Sequence, residues 1–148
     1  MLQFYFLSLV LLIVGAVIIL AEQVGGKVPL VHAIKGYCME HATARVVLIV
    51  LTAIVGIMKL ITPIDPGPAV IGDLFPAVNL IALCAFYLFE GKRIDSAKEE
   101  VEISMDGEDS EEPIEKARTF YFTNKAVIGY VTMAVAFFHF LFPGAVLL

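Results

Sequence analysis

The chain has 148 residues, 59% of them hydrophobic and 17% charged, with a formal net charge of −5 and a mean hydropathy of +0.89. Soluble globular domains are usually about 45 to 50% apolar, so this composition excludes that class and points to a multi-span membrane protein. Most of the acidic residues lie in one segment, 95–115, and no basic face for nucleic acid exists.

Four stretches are free or nearly free of charge, and each approaches the roughly 20 residues that a helix needs to cross about 30 Å of hydrocarbon. Runs this apolar do not alternate as barrel strands do, which leaves helices as the way to pair every backbone amide in lipid. The sequence therefore predicts an all-α integral membrane protein, a four-helix bundle forming a single membrane domain over 1–148, with spans at about 2–21, 44–62, 69–89 and 125–142.

The first run, 2–21, has no Lys or Arg before it and no convincing small-residue cleavage site before Glu22, so it reads as a retained span rather than a signal peptide. Next comes the connection 22–44, in which Pro29 stands where a helix could begin. Leu30, Ile34, Tyr37 and Cys38 recur there at helical spacing, predicting a short helix in the headgroup layer with Lys35 reaching lipid phosphate. After the second span, the turn TPIDPGP cannot continue a helix and makes a tight hairpin. The third span opens with GDLFPA, where Pro76 could kink or break the helix and free backbone groups. Beyond it lies an acidic insertion, about 95–112, expected to be solvated and able to dock a basic cytoplasmic partner, with 101–105 alternating well enough for one short strand.

Segments 45–63 and 125–143 align without a gap at an offset of 80, matching Arg45 with Lys125, Thr52 with Thr132, Lys59 with His139 and Pro63 with Pro143. At an offset of 84, Pro29, Leu30, Ala33 and Tyr37 match Pro113, Ile114, Ala117 and Tyr121, while Glu22 corresponds to Glu90 at an offset of 68. The chain thus reads as two tandem two-helix repeats, about 1–63 and 69–143, with short interfacial helices before the second and fourth spans. Units of two spans keep one orientation, so the repeats are expected to be related by a pseudo-two-fold axis along the membrane normal.

Nine of the ten basic residues flank the first and third connections. The positive-inside bias puts 22–44 and 90–124 in the cytoplasm and both termini outside, in a cell inner (plasma) membrane. Glu22, Lys27, Arg45, Glu90, Lys92 and Lys125 are the expected interface anchors.

Ionisable groups inside a span are costly and are functional candidates for that reason. Lys59, Asp73, Asn79 and His139 are expected to form an outward-open polar layer, a candidate ligand or ion site, with Lys59 and Asp73 facing each other across the hairpin. His139, the repeat equivalent of Lys59, is expected at the same level on the other side of the axis. Cys38 and Cys84 form no CxxC pair, and no metal cluster, cofactor motif or catalytic motif is present.

The sequence favours a non-enzymatic protein acting by association, as a homo-oligomer or as an accessory or scaffold subunit of a larger membrane complex. Small residues suited to close helix contact, among them Gly15, Ala16, Ala53, Gly56, Gly129, Ala134 and Ala136, carry that reading. The alternative is a small transporter or channel using the polar layer.

Overall fold

A computed structural model describes residues 2–24, 28–61, 74–99 and 112–141. Six helices and no strands occur among them: α1 (Leu2–Val24), α2 (Pro29–Glu40), α3 (Ala42–Ile61), α4 (Leu74–Glu99), α5 (Glu112–Thr123) and α6 (Lys125–Leu141). Helices α1, α3 and α4 are long and apolar enough to cross a membrane, and α5 with α6 make a fourth candidate, bent by 71°. The hairpin around 62–68, together with Lys27, Pro63, Asp73 and Pro143, lies outside the described residues.

Both short helices join the long helices that follow them through a single residue. Pro29 opens α2 after an extended Val28, as a residue without an N–H can do at no cost. At the far end His41 turns the chain into α3, its backbone N–H reaching the Tyr37 carbonyl at 3.4 Å and its Nδ1 the same oxygen at 3.1 Å. Asn124 has the corresponding place between α5 and α6, with its backbone N–H and its Nδ2 both donating to the Phe120 carbonyl at 3.0 Å.

The long helices form an up-and-down bundle in which α1 packs chiefly on α6 and α3 on α4. Each pair is antiparallel: Tyr5 meets His139 while Glu22 meets Lys125, and Gly56 lies against Ala77 and Leu80 while Arg45 meets Asp95. Helices α1 and α4 touch near the middle, where a Cβ added at Gly15 would stand 2.5 Å from Leu83 Cδ1. Leu12, Ile18, Ile19, Leu80, Leu83, Phe86 and Tyr87 fill the centre. Outward faces stay apolar, with Val46, Val50, Ile54 and Ile57 of α3 and Val127, Val131 and Phe138 of α6 all exposed.

Several boundaries differ from those read in the sequence. α4 is unbroken from Leu74 past Pro76 to Glu99, so the acidic insertion begins on a helix; 100–111, including the expected strand, lies outside the described residues. Small residues are mostly spent within the chain. Gly15, Ala16, Gly56, Gly129 and Ala136 are buried, leaving Ala134 exposed and Ala53 half-buried.

A buried lysine and histidine pair

Near the ends of α3 and α6, Lys59 Nζ lies 3.2 Å from His139 Nε2. The two residues expected across an axis from one another therefore meet. Lys59 is 5% exposed and His139 1%, so both side chains are buried. An ammonium can only donate, so with Lys59 charged the His139 Nε2 lone pair accepts and the ring proton sits on Nδ1.

Tyr5 of α1 completes the cluster. Its hydroxyl donates to the His139 carbonyl at 2.6 Å, its ring lies 4.7 Å from the imidazole, and Lys59 Nζ stands 5.8 Å from its ring centroid. Sequence reasoning missed this residue, although an available signal existed: Tyr5 corresponds to Asp73 at the offset of 68 that relates Glu22 to Glu90. Asp73 itself lies outside the described residues.

Asn79 is placed away from this centre. The Thr132 hydroxyl, fully buried two turns before His139, shares its proton between the Ile128 carbonyl at 2.8 Å and Asn79 Oδ1 at 2.9 Å. Thr52 has the same local habit, donating to the Leu48 carbonyl at 2.7 Å, and the Cys84 thiol donates to the Ile49 carbonyl at 3.6 Å. Asn79 also lines a groove of about 340 Å³ between α4, α5 and α6, walled by Phe75, Val78, Phe120, Tyr121 and Val131.

At the other end of the bundle the expected anchors form ion pairs with partners only partly foreseen. Glu22 takes both Lys35 and Lys125, the latter at 2.7 Å, so Lys35 is directed into the protein and not toward lipid phosphate. Arg45, 7% exposed, donates to the Met39 carbonyl at 3.1 Å and to Asp95 at 2.6 Å, tying α2 and α3 to α4. Glu90 is not a surface anchor: it is 1% exposed and accepts from Arg93 at 2.8 Å, one helical turn on. Lys92 is exposed. In the connecting helix α2, burial pushes the Cys38 thiol up from its ordinary value.

Among the described residues no group of three His, Cys, Asp or Glu side chains is placed to hold a metal. No curated protein and no solved structure matches the chain. A protein-family model whose description assigns no activity matches residues 1–139, nearly the whole chain and all the candidate residues named above, and the chain belongs to that family.

Proposed function

We propose that the chain is a multi-pass membrane protein of two tandem two-helix units, and that it acts non-enzymatically as a small transporter or channel through the Lys59–His139 centre. The observation that carries this reading is the burial of two ionisable side chains 3.2 Å apart at the junction of α1, α3 and α6. Lysine and histidine are rarely enclosed in apolar helices without a task. An amine and an imidazole are both groups that can bind and release a proton, which is the chemistry a proton- or ion-handling centre needs.

Membrane insertion is supported by the continuous exposed apolar faces of α3 and α6, which in water would be an aggregation surface. Correspondence between the buried faces supports the repeat. Thr52, Val55, Gly56 and Lys59 of α3 are buried, and so are Thr132, Val135, Ala136 and His139 of α6 at the offset of 80. At the offset of 68, Pro76, Ala77, Leu80, Leu83, Phe86 and Tyr87 fall on Ser8, Leu9, Leu12, Gly15, Ile18 and Ile19, all buried. Pairing α1 with α6 and α4 with α3 is what a two-fold exchange of the units requires. The end bearing Glu22, Arg45 and Lys125 is then cytoplasmic, in the inner membrane, with Lys59 and His139 toward the outside.

Reconstitution into proteoliposomes, with flux of protons and small ions followed by internal dyes, tests the proposal. Lys59→Ala and His139→Ala are expected to abolish flux while the amount of folded protein is unchanged; wild-type flux in both variants sinks it. A second reading, association with itself or with a larger membrane complex, is favoured by the apolar groove between α4, α5 and α6. Fixed-ratio co-purification of another protein in mild detergent would support that instead.

A further inference from the structure

The groove between α4, α5 and α6 holds polar groups that packing does not explain. Phe75, Asn79 and Ala82 of α4 line one side and Val131 of α6 the other, while α5, turned 71° from α6, brings Phe120 and Tyr121 to it. At about 340 Å³ it has the size of a small-molecule site, and like such sites it is apolar and aromatic with few polar groups.

Asn79 is half-buried, and only one end of its amide is engaged. Oδ1 accepts from the Thr132 hydroxyl at 2.9 Å, whereas Nδ2 donates to nothing among the described residues. Tyr121 is similar: its ring lies 5.5 Å from that of Phe89, and its hydroxyl makes no hydrogen bond among the described residues. The groove thus carries two donors without acceptors. At a water-facing surface such groups would be solvated, but Asn79 is the midpoint of the span read at 69–89, ten residues or roughly 15 Å from either end. An amide left open at that depth is costly.

Depth and walls together indicate what meets these donors. The occupant supplies an acceptor oxygen, has an apolar body and reaches the middle of the bilayer. Glycerolipids carry their ester carbonyls in the interfacial layer outside the hydrocarbon, so the acyl chains that reach Asn79 bring no acceptor. A lipid-soluble ring ketone meets all three conditions, and its flat ring suits offset or edge contacts with the rings of Phe75, Phe120 and Tyr121. We infer that the groove binds a lipid-soluble ring ketone of the quinone class, with one carbonyl accepting from Asn79 Nδ2 and the apolar body against Phe75, Phe120 and Tyr121. The inference rests on the membrane insertion proposed above, but not on flux through Lys59 and His139. A partner's helix in the same groove is the second reading given there, and the test separates the two.

The test uses the full chain in phosphatidylcholine nanodiscs, with decyl-1,4-benzoquinone as the probe. Quinones quench tyrosine emission, and the chain has five tyrosines and no tryptophan to mask them. Saturable quenching is expected. Decylbenzene, with the same ring and tail but no carbonyl, should reverse it only at concentrations at least tenfold higher. Asn79→Leu is expected to lower quinone affinity at least tenfold while decylbenzene affinity stays within twofold. Thr132 then keeps the Ile128 carbonyl at 2.8 Å, so the change strands no donor. Should that variant fail to fold, Ala82→Phe decides, because its side chain fills the groove: an unchanged Tm with no saturable quenching is expected. The inference is overturned if quenching rises without saturating, if decylbenzene competes equally, or if folded Asn79→Leu or Ala82→Phe binds as the wild type does. Cross-linking of Ala82→Cys to a partner protein in the native membrane would also overturn it, in favour of a docked helix. Failure of the chain to enter nanodiscs overturns the membrane reading as well, which distinguishes that failure from this one.

Discussion

Lys59 and His139, 80 residues apart, stand 3.2 Å from one another in the interior of the bundle. Taking away one of them leaves the other's polar atom enclosed without that contact, which costs about 1 to 3 kcal/mol. His139→Leu and Lys59→Met are each expected to lower the unfolding temperature in detergent by a corresponding amount. Because the side chains interact, the double variant should cost less than the two singles added together. Strict additivity would show that the pair does not form in solution.

Two glycines should respond oppositely to alanine. A Cβ at Gly129 would lie 2.7 Å from Leu20 Cγ and 2.9 Å from Ile19 Cγ2, so Gly129→Ala forces α6 off α1, at about 1 to 3 kcal/mol. Gly36→Ala meets open space and gains up to about 1 kcal/mol of helix stability. Denaturation of the two variants side by side measures the contrast, and a destabilised Gly36→Ala would contradict the placement of α2.

Arg45 lies against Gly91, where a Cβ would come within 2.8 Å of its Nε, and holds both Met39 and Asp95. Arg45→Ala is expected to cost roughly 1 to 3 kcal/mol through the Met39 carbonyl it deserts, and to raise amide exchange in α2 more than in α1. Asp95→Asn, altering a carboxylate that is 55% exposed, should change stability far less, by roughly 0 to 1 kcal/mol. Equal effects from the two changes would assign the worth of the contact to its exposed side.

Burial raises the Cys38 thiol, so at neutral pH less of it is the reactive thiolate than in a free cysteine. In a Cys84→Ser background, maleimide labelling of Cys38 should be slower than that of a model thiol, and should keep rising with pH after the model thiol has levelled off. With an impermeant reagent, labelling should occur only from the cytoplasmic side. Modification from outside would reverse the proposed orientation and the outward placement of Lys59 and His139.

The number, order and type of the long helices were legible in the amino-acid sequence, because four apolar runs separated by Pro, Gly and charge leave few other structures. So was the start of α2, since Pro29 is suited to a first helical turn and to little else. The offset of 80 also singled out Lys59 and His139 together.

What only the tertiary structure decided is which side chains share a space. A periodic pattern gives the face a residue occupies but not the rotation of one helix against the next, and that rotation brings Lys59 onto His139 when each could have remained alone on its own face. It also adds Tyr5 from α1, spends Gly15, Gly56 and Gly129 on contacts within the chain, and directs Lys35 to Glu22. Glu90 shows the distinction most plainly. Its position at the end of an apolar run suggested a surface anchor, yet α4 continues to Glu99 and α2 folds across it. The carboxylate is therefore buried where α2 lies against α4, a fact of packing that no local pattern encodes.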